Sequence, residues 1–376
     1  MTDNSKIMFE NETLKNASPA TVSRAGIIYV SAEDLDWWPY AQAWVAQRPQ
    51  DQHEGFTKLF THYIGECAGQ EPGHLFSHIA RNIKEVMPVD RVGKVTALCR
   101  MLTGLLADAV LEDTIVDMEM QLEKAFLYCL AWTVGGCFET VERKAFDTYL
   151  RSLQPAFDEN ASDNLPTLEE ENESMYEYYI DPESMSWEKW APEQWTYPDT
   201  EVLDFSNLLV PTMDSTRAIN VIDLMQKQAL PILLVGGPGT AKTSTVLMYN
   251  GQVNAAQYMF RRFNFSSATQ PLSFQVFVEA GLDKRGGKTF GPPGGKKAII
   301  FMDDLSMPII NEWGDQPTVE IVRQIVEEGG IMFLEKDKRG DRKICDGLQY
   351  IAAMGHPGGG KNDIPMRLKR HFLCMK

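Results

Sequence analysis

A glycine-rich stretch at 236–243 restricts the possible folds of this chain more than any other feature of its sequence. It follows an apolar run at 231–235 that predicts a buried strand, and it precedes 244–248, which is typical of the first turns of a helix. A strand, a glycine loop and a helix in this order form a P-loop, because N–H groups of the loop and of the helix N-terminus converge on a phosphate. We expect Lys242 to contact the β- and γ-phosphates of a nucleotide and the Thr243 hydroxyl to bind Mg²⁺. The predicted phosphate-binding residues are Gly236, Gly237, Pro238, Gly239, Thr240, Ala241, Lys242 and Thr243.

A second motif supplies the acidic half of such a site. The apolar residues at 298–302 predict a strand that ends in Asp303 and Asp304. Asp303 is expected to hold the Mg²⁺ ion, and Asp304 stands where a base orients the attacking water. A lone degenerate P-loop can be an accidental glycine turn, but paired carboxylates after a buried strand favour a nucleoside triphosphate site.

One position departs from the usual P-loop pattern, in which two glycines are separated by four residues and followed by Lys and Ser or Thr. Ala241 occupies the place of the second glycine. Because alanine disfavours positive φ, we expect the loop to reach its conformation without a positive φ at this position.

The net charge of −16 is concentrated in one segment. Residues 151–205 carry 15 Asp and Glu against only Arg151 and Lys189. The rest of the chain is close to neutral, which leaves no basic surface to bind nucleic acid. The acidic segment is either a solvated linker or an ordered insertion, and its aromatic residues favour the ordered insertion, with Glu169–Glu173 as its looser tip. The Trp and Tyr residues concerned are Trp187, Trp190, Trp195, Tyr176, Tyr178, Tyr179 and Tyr197, with Tyr149 just before the segment.

Length and cysteine usage set the class of protein. A chain of 376 residues predicts two or three domains. No apolar run approaches 18 residues and the first ten lack the core of a signal peptide, so we expect a soluble, cytosolic protein without a membrane partner. The cysteines lack metal-ligand spacing and are expected to be free, buried thiols. They are Cys67, Cys99, Cys129, Cys137, Cys345 and Cys374.

The pattern of apolar residues divides the chain. From about 39 to 153 they recur every three or four positions, which predicts a bundle of amphipathic helices. Within this bundle, His74 and His78 are four residues apart with no Glu between them, which favours two side chains on one face of a helix over a metal site. From 210 onward, strands and helices alternate around the P-loop, which predicts a parallel sheet with its ligand at the carboxyl ends of the strands.

The two ends of the chain show a similar pattern. Residues 7–30 predict a strand at 7–9, a helix from Ser18 to about Arg24, and a strand at 26–30. Residues 351–376 predict the same succession, with Asp363 as the cap of the helix. Such a repeat indicates that the chain is part of an array of similar modules.

Several longer segments resemble one family. They are similar to the third AAA+ module of a dynein heavy chain, most of all the axonemal outer-arm type, and 16–30 resembles the end of the second module's large domain. The resemblance implies four parts: 1–34, the end of the second large domain; 35–153, its helical lid; 154–205, an acidic extension; and 206–376, the third large domain with the P-loop. The segments that carry it are 264–271, 289–316, 352–365 and 367–372. The implied fold is α/β, a P-loop AAA+ parallel sheet with flanking helices, preceded by an all-α lid bundle.

The resemblance also implies residue roles. Gly236–Thr243 corresponds to the Walker A loop, and Asp303 and Asp304 to the Walker B pair. His356 takes the sensor position, where Asn is common. Arg370, and Arg367 beside it, fall where an arginine finger lies, Arg24 is the counterpart in the preceding module, and Val210 and Pro211 correspond to the strand entering the adenine pocket.

The family is an ATP-dependent microtubule motor of cilia and flagella. The resemblance therefore implies ATP or ADP with Mg²⁺ as ligands, and neighbouring AAA+ modules, dynein subunits and microtubules as partners. It implies the cytoplasmic cytoskeleton of the axoneme as the location. Asp304 replaces the usual Glu, so two readings stay open: an ATPase module, or a nucleotide switch that does not turn over. A P-loop NTPase outside this family is a third. Because the finger that closes over Lys242 would come from the next module, the chain alone is expected to hydrolyse ATP poorly.

Overall fold

The computed structural model describes residues 6–11, 13–15, 17–31, 36–65, 74–112, 114–158, 161–191, 194–196, 208–338, 340–358 and 361–376. The expectations for Cys67 and Tyr197 fall outside these ranges. The five other cysteines are free and buried, as predicted. None of the described helices combines the length and the apolarity that crossing a membrane requires.

A helical region follows an isolated first helix, α1 (Pro19–Arg24). The region's helices are α2 (Trp38–Val45), α3 (His53–Leu59), α4 (His74–Asn82), α5 (Arg91–Ala107), α6 (Ile115–Val134) and α7 (Thr140–Ser152). The two longest begin at capping side chains, because Asp90 accepts from the Gly93 N–H and Thr114 accepts from the Asp117 N–H. The helical bundle predicted from the spacing of apolar residues is therefore present.

Aromatic side chains fill the centre of this region. Trp37, Phe60 and Phe126 are completely buried. The Phe60 and Phe126 rings meet edge to face at 5.1 Å, a favoured aromatic arrangement. The Tyr63 hydroxyl donates to the buried carboxylate of Glu123, so these two polar side chains are paired inside the core.

Part of the acidic segment is ordered against these helices. Strands β1 (Tyr178–Ile180) and β2 (Trp187–Lys189) form a small antiparallel hairpin that sequence reasoning missed. The Tyr176 hydroxyl donates to the Ala131 carbonyl of α6 at 3.1 Å, as expected for an insertion that folds onto its neighbour. The loose tip predicted at Glu169–Glu173 is wrong at its last residue: Glu173 is buried and accepts from the Tyr178 hydroxyl at 2.9 Å.

The C-terminal half forms an α/β domain. Its elements are α8 (Met213–Lys227), β3 (Ile232–Val235), α9 (Lys242–Gln252), β4 (Tyr258–Asn264), α10 (Pro271–Glu279), β5 (Asp283–Gly286), β6 (Thr289–Gly291), β7 (Lys297–Asp303), α11 (Pro317–Glu328), β8 (Gly330–Met332), β9 (Arg342–Cys345), β10 (Leu348–Met354), α12 (Met366–Lys369) and β11 (Leu373–Met375). The main sheet is parallel throughout, with five strands in the order β11-β3-β10-β7-β4. The carboxyl ends of β3, β7 and β10 therefore lie side by side at one edge.

A second, four-stranded sheet has the order β5-β6-β9-β8. Strands β8 and β9 form the predicted antiparallel pair around the charged tip at 336–340. Strands β5 and β6 were not predicted, because their Gly-rich and charged sequence lacks alternating apolar residues.

The helical region and the main sheet share one apolar core. Phe126 of α6 belongs to the same buried cluster as Met225 of α8, Ile232 of β3 and Phe301 of β7. Helices α5 and α8 come so close at Gly104 that a Cβ there would lie 2.7 Å from the Leu224 carbonyl oxygen. The opposite face of the sheet is covered by α10 and α11.

Two local predictions are wrong. Residues 7–9 and 26–30 form no strand in the described structure, and Met8 and Ile28 are almost fully exposed. A strand needs a hydrogen-bonding neighbour, and no described strand lies beside either segment; the repeat with 351–376 is thus limited to the helix. Asp363 does not cap α12 but accepts from the Lys369 ammonium at 2.6 Å, while Pro365 takes the cap position.

Candidate nucleotide-binding site

The P-loop lies between β3 and α9, as the sequence predicts. Strand β3 ends at Val235 and α9 begins at Lys242, which carries the loop across the carboxyl edge of the sheet. The Gly236 N–H donates to the Met354 carbonyl at the end of β10 at 3.1 Å. The loop is thereby fixed at the edge where the strands point their carboxyl ends.

Ala241 adopts a left-handed conformation, contrary to the expectation for this residue. Its φ is 57° and its ψ is 16°, directly before the first residue of α9. This conformation costs a residue with a Cβ about 1–2 kcal/mol. The backbone follows the path that a glycine would take, and the alanine bears the strain.

The Lys242 ammonium is folded back over the loop. Its Nζ donates to the Gly236 and Gly237 carbonyls at 2.9 and 2.7 Å. Partial burial lowers the pKa of Lys242, and the positive charge of Lys361 lowers it further. A phosphate bound at the loop would place a negative charge beside both the Lys242 and the Lys361 ammonium groups.

Asp303 and Thr243 meet at the predicted metal position. The Thr243 hydroxyl donates to Asp303 Oδ2 at 3.0 Å, and Asp303 is 7% exposed. A hydroxyl and a carboxylate are the hard oxygen donors that Mg²⁺ prefers. No group of three or more His, Cys, Asp or Glu among the described residues is arranged to hold a metal. The Thr243 hydroxyl and the Asp303 carboxylate fit an Mg²⁺ ion, whose remaining ligands would be phosphate oxygens and water.

Asp304 also has a positive φ, 56°. Its side chain is exposed, and its backbone N–H donates to Asp303 Oδ1 at 3.2 Å. Aspartate tolerates the left-handed region better than most residues. The bend after β7 places the two carboxylates in different environments, one buried and one solvated.

The predicted sensor residue lies at the edge of the sheet that carries the P-loop, whereas the predicted finger arginines pair with α11. His356 follows β10 by two residues and is half-buried at the same edge of the sheet. Arg370 pairs with Glu327 of α11 at 2.8 Å, and Arg367 lies 3.4 Å from Glu320 of the same helix. Both arginines thus contact α11 within this structure.

Among the described residues, no hydrogen bond or ion pair joins the remaining predicted residues to the loop. Arg24 is exposed at the end of α1, and its guanidinium bonds the Ala20 carbonyl of its own helix at 3.4 Å. Val210 and Pro211 lie immediately before α8, and Val210 is 50% exposed. Their roles in a finger and an adenine pocket stay predictions.

Two basic residues at the site were missed by sequence reasoning. Arg262 of β4 donates to Asp303 Oδ2 at 2.7 Å. The Lys361 side chain lies across Gly355, where a Cβ would come within 2.5 Å of its Nζ. Lys361 directly follows a run of glycines after a buried strand, which is a usable signal, whereas the approach of Arg262 depends on strand order.

Two family models match most of the chain. Residues 56–192 match the dynein heavy chain AAA lid domain, and residues 197–376 match the P-loop containing dynein motor region. The two matches meet near the end of the acidic segment.

Curated relatives match over nearly the whole chain. The dynein gamma chain of the flagellar outer arm from Chlamydomonas reinhardtii is 42% identical over 371 residues, 98% of this chain. Human dynein axonemal heavy chain 8 and mouse dynein axonemal heavy chain 5 are each 37% identical over 99% of this chain. The chain spans only 8% of the length of each of these relatives.

Proposed function

Since this chain belongs to the dynein heavy chain family, as an AAA lid followed by a P-loop motor region, we propose that Gly236–Thr243 binds ATP or ADP with Mg²⁺. The observation that carries the proposal is the meeting of Lys242, Thr243 and Asp303 at the carboxyl edge of a parallel sheet. The loop N–H groups and Lys242 hold the phosphates, and Thr243 and Asp303 hold the ion. The Mg²⁺ ion, when bound, neutralises charge on the phosphate oxygens.

The names of the relatives support a proposal for the wider function. They are named as flagellar outer-arm and axonemal dyneins. We infer that this chain contributes nucleotide binding to microtubule-based movement in the axoneme of a cilium or flagellum, with other AAA+ modules of a heavy chain as its neighbours. The parts 1–34, 35–153, 154–205 and 206–376 are proposed as the modular divisions.

Hydrolysis at this site is the second question. Asp304 is one methylene shorter than glutamate and sits exposed on a left-handed residue, which favours a site that binds nucleotide and positions water poorly. By the family geometry, His356 acts as the sensor, and Arg370, Arg367 and Arg24 act toward nucleotides of other modules. We propose a regulatory nucleotide site with slow turnover in this chain alone; an efficient ATPase module is the alternative.

The test is ATP binding to the whole chain, measured by calorimetry. Lys242→Ala removes a charge-assisted phosphate contact and should weaken ATP roughly 10–150-fold. Lys284→Ala, on the exposed strand β5, removes the same charge elsewhere and should leave affinity unchanged. Equal affinity in the wild type and Lys242→Ala would contradict the proposal.

A further inference from the structure

Arg262 donates a hydrogen bond to Asp303, the carboxylate that is proposed to bind the metal. We propose that Arg262 competes with Mg²⁺ for Asp303 and so raises the Mg²⁺ concentration at which nucleotide binding becomes metal-assisted. The inference rests on the proposed function of the P-loop. It concerns how that site depends on a divalent cation.

The sheet holds Arg262 in this place. Strands β4 and β7 are parallel neighbours, with Arg262 opposite Phe301 and Asn264 opposite Asp303. Because side chains alternate along a strand, Arg262 and Asn264 share one face with Phe301 and Asp303. The guanidinium carbon lies 5.7 Å from the centre of the Phe301 ring, within the range of a cation–π contact.

Hydrogen bonds fix the guanidinium at both ends. Its Nε donates to Asn264 Oδ1 at 2.9 Å and its Nη2 donates to Asp303 Oδ2 at 2.7 Å. The planar fork of arginine is suited to such a two-point attachment. Arg262 is therefore held toward Asp303 by the carboxylate, an amide and an aromatic ring.

The Asp303 carboxylate has little capacity left. Oδ2 accepts from both Thr243 and Arg262, and Oδ1 accepts from the Asp304 N–H. An Mg²⁺ ion beside Thr243 and Asp303 would meet the guanidinium on the same oxygen, and like charges at such a distance repel strongly. Binding of the ion thus requires Arg262 to release Oδ2.

Release of Arg262 is local. Its side chain is 39% exposed, so the guanidinium can turn toward water while the strand stays paired. Asn264 keeps it near the site after release. When Mg²⁺ replaces the guanidinium at Asp303, only the Arg262 side chain has to move and the P-loop stays in place. The free energy lost on metal binding is therefore that of breaking the Arg262–Asp303 contact.

A neighbouring arginine provides a matched control. Arg261 lies on the same strand and faces the other way, where its guanidinium packs 4.1 Å from the Phe277 ring centre and donates to the Phe277 carbonyl. It contacts neither Asp303 nor Thr243 in the described structure. Arg261→Gln therefore makes the same charge change on the same strand, away from the metal position.

The experiment measures ATP binding by the whole chain while free Mg²⁺ is raised from none, with EDTA, to millimolar. In Arg262→Gln we expect the Mg²⁺ concentration that gives half of the gain in ATP affinity to fall roughly tenfold. This factor corresponds to the free energy of one charge-assisted hydrogen bond, which Mg²⁺ no longer has to displace. Arg262→Lys keeps the charge but loses the fork, and should give a smaller fall. Arg261→Gln should match the wild type.

Each outcome decides the question. An unchanged or increased Mg²⁺ requirement in Arg262→Gln, with a thermal midpoint close to that of the wild type, would overturn the competition. If Arg262→Gln unfolds, Arg262→Lys carries the same test. An ATP affinity that is absent in the wild type, or unaffected by Lys242→Ala, is a failure of the nucleotide site itself and is visible in the same titrations.

Discussion

The helical region and the carboxyl edge of the main sheet, here called the rim, differ in how many of their residues have strained backbone conformations. The described residues contain four non-glycine positions with positive φ: Met185, Ala229, Ala241 and Asp304. Two of them flank the phosphate and metal positions, and none lies in helices α2–α7. Helices α2–α7 are therefore free of this kind of backbone strain, whereas the rim of the sheet carries it where a ligand is expected.

The polar side chains of the bundle and of the rim also differ in where they find their partners. In the bundle, Tyr63 and Glu123 satisfy each other inside the core. At the rim, Lys242 donates to a carbonyl of its own loop, and the Thr243 hydroxyl and the Arg262 guanidinium both donate to Asp303 at the end of the sheet. The comparison indicates that stability and ligand binding are carried by separate sets of residues, a division that substitutions can test.

The largest expected effect comes from the bundle. Phe126→Ala removes a fully buried ring that packs on Phe60 and Tyr63, and should lower the free energy of unfolding by about 3–5 kcal/mol. ATP affinity of the folded fraction should stay within twofold. Val141→Ala on the exposed side of α7 is the control, with a change of about 0.5 kcal/mol or less. Denaturant unfolding and calorimetry measure both; a large loss of ATP affinity in Phe126→Ala would break the division.

An intermediate effect should separate the two carboxylates. Asp303→Asn removes a metal ligand and should weaken Mg²⁺-dependent ATP binding by about 1.5–3 kcal/mol. Asp304→Asn should leave binding nearly intact, since asparagine accepts the left-handed backbone, and should abolish the slow phosphate release of the wild type. Paired titrations and phosphate-release assays give the answer; the reverse pattern would mean that the two roles are exchanged. Turnover of one per second or faster by the wild type would contradict the slow-site proposal.

The smallest effect should come from the strained alanine. Ala241→Gly relieves a left-handed alanine and should raise the free energy of unfolding by about 0.5–1 kcal/mol. Ala229→Gly is matched to it, because Ala229 has a φ of 51° and is exposed after α8, away from the phosphate loop. Both should stabilise the fold by similar amounts, while only Ala241→Gly should alter ATP affinity. Equal ATP affinity in both variants would show that the strain at Ala241 has no bearing on the ligand.

Local chemistry made the main elements predictable. The strand, glycine loop and helix around Lys242 follow from adjacent residues, and so do Asp303 and the end of α11 at Gly329, a left-handed glycine. The position of Arg262 was not predictable in this way, because it depends on β4 lying beside β7 with a particular register. The conformation of Ala241 was mispredicted for a related reason. The surrounding loop, held by β10, imposed a backbone that the residue alone disfavours.

The close contacts of α5 have a mechanical meaning. Near one end of this helix, Gly93 lies so close to the Arg370 backbone that a Cβ would come within 3.2 Å of its carbonyl oxygen, and toward the other end Gly104 touches α8. With no side chain between the two backbones, there is no soft layer to absorb displacement. The backbone of α5 is therefore in direct contact with the segment that carries Arg370 and with α8, so either glycine is a place where an added side chain would push two elements apart.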